Sequence, residues 1–288
     1  MRWMSSNSVG GHIRKSQWAF VSSFACLALL PAACLAETVD WRYSMGLHDT
    51  MVPDVSSDTF GINGSLSVDK RSDAGWHYFG SFDLFVDNDH DHLDPDHIPI
   101  WWKLHAGTDG RFWQPGNGGY AGWTADLNTR MNTVSSIERQ IKVLPAIVLG
   151  YDGDSFAASL KGGVGYFFQE IDDDAPKLRG FDRTGLRQTT FGGSLGGRAS
   201  VSLGSTVKLS GTAQEWWDSG DWLETEYGAE IRFGLDNWVR AKDSELVFSI
   251  EAHEYNLDIY PRSPAGDPVL GWNDDVMFRL SYSAVWHR

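Results

Sequence analysis

Residues 189–203, TTFGGSLGGRASVSL, alternate in polarity without a break. Phe191, Gly193, Leu195, Gly197, Ala199, Val201 and Leu203 interleave with Thr190, Gly192, Ser194, Gly196, Arg198, Ser200 and Ser202. A period of two places the two sets on opposite faces of a β-strand. One face is apolar. The other carries an arginine in mid-strand, so it must be wetted or its charge must be paired.

The same rule holds in segments on either side. Leu223, Thr225, Tyr227, Ala229, Ile231 and Phe233 alternate with Glu224, Glu226, Gly228, Glu230 and Arg232. Val276, Phe278, Leu280, Tyr282, Ala284 and Trp286 alternate with Met277, Arg279, Ser281 and Ser283. Val39, Trp41, Tyr43, Met45 and Leu47 alternate with Asp40, Arg42, Ser44 and Gly46. On this reading the chain holds about twelve strands, near 38–47, 58–69, 74–87, 98–107, 120–132, 137–150, 155–170, 187–203, 206–217, 222–234, 245–257 and 274–287. No helical period competes over a useful window. Pro145 lies inside the sixth segment and removes a ladder donor, so a local bulge is expected there.

Residues 1–36 read as an address. Arg2, Arg14 and Lys15 precede an apolar core, WAFVSSFACLALL (18–30), and small residues AACLA lead to an expected cut after Ala36. An uncleaved anchor fits less well because the core is short for a span. A lipoprotein site at Cys34 is disfavoured by Pro31, where a lipobox has Leu. Both cysteines, Cys26 and Cys34, fall in this leader. Residues 37–288 therefore exclude disulfides, thiolate metal sites and a cysteine nucleophile. Losing the leader's three basic residues moves the net charge from −14 to −17, which excludes a phosphate-binding nucleic-acid partner. An aromatic content of 13% argues against disorder.

Two-faced strands occur both in membrane barrels and in soluble sandwiches. Three features favour the barrel. Full charges sit mid-strand on the polar face. Trp41, Trp76, Trp113, Trp123, Trp238 and Trp286 fall at one end of the strands, and Trp101, Trp102, Trp216, Trp217, Trp222 and Trp272 at the other, as expected of two interfacial girdles. Tight turns at 69–75, 151–155 and 203–206 oppose longer polar connections at 48–57, 87–97, 171–186 and 258–273. The expected fold is a single all-β domain over 37–288, a transmembrane antiparallel β-barrel of about twelve strands after a cleaved signal peptide.

Together the leader, the alternating strands, the aromatic ends and the aromatic-rich last strand resemble a Gram-negative, porin-like outer-membrane β-barrel protein. The resemblance spans residues 37–288 and is architectural. It implies an outer-membrane location, with lipid bilayer and lipopolysaccharide as partners. It also implies a terminal aromatic handle for assembly, and here Trp286 stands two residues before the last, Arg288.

Twelve strands lie between side-chain-filled eight-stranded barrels and wide porins. A narrow channel for small polar solutes is expected, lined by Arg42, Lys142, Lys161, Arg198, Lys208, Glu226, Glu230, Arg232, Glu251 and Arg279. Lys103, Arg130, Asp40, Asp69, Asp83, Asp126, Glu138 and Glu224 share the inward parity. The same charges could instead bridge the lumen and close it. Inward Gly163, Gly165, Gly192 and Gly196 could open space or ease strand curvature.

Two local features suggest other chemistry. The loop 87–97 gathers Asp87, Asp89, His90, Asp91 and His92, a pattern that suits a divalent cation but also a solvated acidic loop. Asp83 and Asp87 on one strand, with Glu251 and His253 on another, could form a water-activating hydrolase pair at the outer rim. A structural or assembly role in a surface system is the remaining alternative.

Overall fold

The computed structural model describes residues 39–72, 75–88, 99–131, 136–171, 183–235, 243–262 and 268–286. The expected leader and its cut site lie outside these residues. The twelve strands are β1 (Asp40–Val52), β2 (Ser57–Arg71), β3 (Trp76–Asp87), β4 (Ile100–Trp113), β5 (Gly119–Met131), β6 (Ile137–Asp152), β7 (Phe156–Ile171), β8 (Arg187–Leu203), β9 (Val207–Asp218), β10 (Asp221–Gly234), β11 (Glu245–Tyr255) and β12 (Asp274–Trp286). Each pairs antiparallel with its sequence neighbours. β12 returns to β1, with Trp286 opposite Trp41, and closes the cylinder. Closure removes every sheet edge.

The outer face is apolar and bare. Phe191 is 75% exposed and Met45 71%, and Ile62, Leu160, Val164, Leu195 and Leu280 continue the band around the wall. A soluble protein does not leave such a surface in water, whereas hydrocarbon covers it without cost. At the end carrying the tight turns, Trp76 packs edge-on against Trp123 at 5.0 Å and stacks near Tyr78, while Trp41 and Trp286 face each other across the closing seam. These indoles form the expected girdle at one interface. Trp238 lies outside the described residues.

Several local expectations change. Residues 48–57 are not a long loop: β1 runs on to Val52, and the 3-10 turn Pro53–Val55 leads directly into β2. Likewise β4 continues to Trp113 and shortens the connection that follows it. Pro145 makes no bulge. Pairing of β6 with β7 lapses at Leu144 and Pro145 but resumes in the same register, and the shift in that ladder lies at Ile137/Arg139. The proline simply faces outward and omits its bond.

A bulge does occur between Trp222 and Glu224 on β10. It turns Leu223 and Glu224 both inward, each almost fully buried, where unbroken alternation puts Leu223 outside. The inward glycines ease curvature. A Cβ at Gly163 would strike the Pro145 carbonyl oxygen, and one at Gly165 the carbonyl oxygen of Val143, so the neighbouring backbone already fills that space.

Candidate functional site

The interior divides into two halves. In the half toward the long connections, apolar packs stand on opposing walls. On β3, β4 and β12, Phe85 and Trp101 stack with centroids 3.8 Å apart beside Met277. On β6, β7, β9 and β10, Leu144, Ala146, Phe167, Trp216 and Leu223 form a second buried cluster. Trp101 and Trp216 were expected in an interfacial girdle. Both instead point into the barrel, where they are among its most buried side chains. Adjacent tryptophans at 101–102 and 216–217 carried the signal, because neighbours on an unbulged strand face opposite ways.

Charged groups link the two packs. Lys103 on β4 donates to Glu251 on β11. The Glu251 carboxylate lies 3.1 Å from His253 Nε2, and His253 Nδ1 lies 3.1 Å from Glu224 on β10. Lys142 on β6 donates to Glu224 at 3.1 Å and pairs with Glu226. The result is an alternating chain, Lys103–Glu251–His253–Glu224–Lys142–Glu226, that crosses the lumen. Gln140 adds a 2.8 Å bond to Glu224, and Arg279 reaches Asp83 on β3 at 3.2 Å. Removing charges from water is costly, and each lysine of the chain here meets a carboxylate, while His253 bridges two of the carboxylates by hydrogen bonds.

Beyond this layer the mouth is capped. Residues 256–262 and 268–273, between β11 and β12, bring Leu257, Tyr260, Val269 and Leu270 onto Ile137, Ile171, Leu186 and Tyr255. Asn256 anchors one side: its backbone N–H donates to Leu223 O at 2.9 Å and its side-chain amide to Trp222 O at 2.6 Å. Ser136 holds the other through a 2.8 Å bond to Trp272 O. Trp272 packs against this cap and is not part of an outer girdle. Burial pushes the Tyr260 phenol well above its ordinary pKa.

The other half is open and polar. A cup of about 600 Å³ is lined by side chains including His77, His105, Asp109, Arg111, Asp126, Ser159, Lys161, Arg198, Ser200, Lys208, Thr212, Gln214 and Glu226. An adjoining space of about 280 Å³ adds Glu230, Arg232, Ser249, Glu251, His253 and Arg279 and shares Arg198, Thr212 and Glu226 with the cup. The charge chain thus borders the cup through Glu226 and the adjoining space through Glu226, Glu251 and His253. Arg42 pairs with Glu245 at 2.8 Å, Arg232 with Glu230 and Glu245, and Lys161 with Asp126 at 2.9 Å.

All ten residues named as lumen-lining therefore project inward, but at different depths. Lys142, Glu226 and Glu251 belong to the chain that spans the lumen; Arg198 and Lys208 are exposed to the cup. The hydrolase arrangement is not assembled. Asp87 bonds His48 Nε2 at 2.8 Å and accepts from Trp101 Nε1 at 3.2 Å, whereas Asp83 pairs with Arg279 and His253 with Glu224 and Glu251. His48 was missed because its strand was cut short at residue 47. Among the described residues, no hydroxyl nucleophile is bonded to His48, His77 or His253.

Of the acidic loop, Asp87 and Asn88 are described, while Asp89, His90, Asp91 and His92 lie outside the described residues. Asp87 is turned into the barrel, where it meets His48 and Trp101. Glu224, Glu226 and His253 do gather potential ligand atoms within 4.8 Å. Lys142 lies against both carboxylates, so an ammonium already supplies the positive charge there.

A closed twelve-stranded cylinder with an apolar exterior and a charged interior defines the class: a transmembrane β-barrel of the Gram-negative outer membrane. No protein-family model and no curated protein matches the sequence. Among solved structures, the chain is similar to the KdgM porin at 9% identity and a TM-score of 0.42, over 87% of this chain and 100% of that one. An outer membrane channel from Pseudomonas putida F1 gives 13% identity and a TM-score of 0.45, over 86% and 95%. Outer membrane phospholipase A from Escherichia coli gives 10% and 0.43, over 84% and 89%. Likenesses this slight carry no inference about what the chain does.

Proposed function

We propose that this barrel is a narrow channel for small polar solutes, whose constriction is the charge chain from Lys103 to Glu226. The supporting observation is the polar cup that runs from the turn end to that chain. Among its lining residues are hydroxyl, amide and charged side chains that match a hydrated solute. Opposed acidic and basic groups at the constriction can exchange partners with a passing ion or dipole, which is how rings of charge select in pores.

Planar lipid bilayers test this directly. The folded protein should give discrete conductance steps. Glu224→Gln removes the central negative charge shared by Lys142 and His253, and should raise open probability about tenfold, the equivalent of about 1.4 kcal/mol. A heat-modifiable band shift on electrophoresis verifies that the variant is folded. The two apolar packs and the loop cap favour a second reading, a permanently closed structural barrel. Silent bilayers from both wild type and Glu224→Gln would establish that reading and overturn the channel.

A further inference from the structure

The sign of the unpaired charge in the cup is opposite to that of the protein. Each of the four carboxylates lining it has a basic partner: Asp109 with His77, Asp126 with Lys161, Asp152 with Arg111 and Glu226 with Lys142. The cations are not matched in the same way. Among the described residues Arg71, Arg198 and Lys208 line the cup, are exposed to it and make no ion pair. The cup of a chain with a formal charge of −14 therefore holds three cations without an ion pair, while each of its carboxylates is bonded to a basic group, Asp109 to an imidazole that also meets Asp69 and Glu226 to a lysine shared with Glu224.

Arg198 is the best placed of the three. It borders both the cup and the adjoining space, which the charge chain also borders. Its cross-strand partners are Ser159 on β7 and Thr212 on β9, small hydroxyl residues that leave the guanidinium uncovered. Lys208 projects from the next strand, nearer the turn end. A guanidinium with its fork free binds a carboxylate through two parallel hydrogen bonds, and the flanking hydroxyls can bond further oxygens.

We propose that the turn-end cup is a binding vestibule for small organic anions bearing carboxylates, with Arg198 as the principal contact and Lys208 as the second. This names the solute class of the channel proposed above and rests on that reading for passage, though not for binding. Low-dielectric walls around like-signed free charges concentrate the field and raise the local concentration of such anions.

Four-carbon probes of matched size test it: malate, the neutral polyol erythritol and the diamine putrescine, titrated calorimetrically into the detergent-solubilised barrel at low salt. Malate should bind, and the other two should bind at least tenfold more weakly. Arg198→Gln should weaken malate about tenfold, and adding Lys208→Gln should weaken it further, with the heat-modifiable shift retained. Raising the salt should weaken wild-type binding, because the cup is open to screening. In bilayers under a salt gradient, wild type should favour anions, and Arg198→Glu should reduce or reverse that preference. Equal binding of all three probes, or malate affinity unchanged in the double variant, overturns the proposal. Conductance without malate binding also overturns it and leaves the channel standing. Arg198-dependent malate binding in a barrel that never conducts supports the vestibule and removes the channel.

Discussion

The two halves of this barrel are made from the same strands with the same alternation, yet one is packed like a protein core and the other is an open cup. Inward positions differ in size, not in periodicity. Toward the long connections they are Phe85, Trp101, Leu144, Phe167, Trp216 and Leu223, all buried. Toward the turns they are Ser44, Ser65, Ser159, Ser200, Ser210 and Thr212. A wall of fixed strand number encloses a fixed bore, so large residues fill it and small ones leave it to solvent. Charges follow the same division. In the packed half they must pair across the lumen, because desolvation would otherwise be prohibitive, while in the cup Arg198 and Lys208 can stay unpaired.

The contrast can be broken by substitution. Trp216→Ala should be the most costly change, about 3–5 kcal/mol, since it empties a fully buried indole site. Ser200→Ala in the cup should stay within about 0.5 kcal/mol. Equilibrium denaturant unfolding in lipid vesicles measures both, and similar losses would abolish the distinction between the halves. Next comes Glu224→Leu, which leaves Lys142 and His253 buried without their shared carboxylate and should cost about 3 kcal/mol. Lys142→Met combined with Glu224→Leu should recover much of that loss. If the double variant is no better than the single, the chain is not acting as a coupled unit.

Smaller effects sharpen the picture. Gly163→Ala should cost about 1–3 kcal/mol because the new methyl meets the Pro145 carbonyl. Gly211→Ala has ordinary contact distances and should be neutral within about 0.5 kcal/mol. The smallest expected effect is one of pH. A phenol raised by burial stabilises the folded cap fully below the ordinary tyrosine pKa near 10, and that contribution falls away as pH climbs past it. In an absorbance titration Tyr260 should ionise above the ordinary tyrosine range, and Tyr260→Phe should remove that late step.

Much of this was legible in the residues. Alternation located all twelve strands and assigned Arg42, Lys142, Arg198, Glu230 and Arg279 to the interior, because side-chain direction on a strand depends only on parity. The exceptions are local breaks in parity. Leu223 went inside through the bulge beside it, and His48 lay beyond a strand end drawn too early. Trp101 and Trp216 were misassigned by treating tryptophan as an interfacial residue, although the Trp-Trp doublets required one member of each pair to enter the lumen.

Period two, a property of neighbouring residues, was enough to set the two faces of every strand and hence a greasy exterior and a charged interior. What the sequence could not decide was which inward charge meets which. Lys142 and Glu224, or Lys103 and Glu251, are brought together by the stagger of twelve ladders and by bulges that each shift it. That stagger accumulates around the ring, so the closed cylinder alone determined that a chain of charged contacts would cross the lumen and that Arg198 would be left without an ion pair on its turn side.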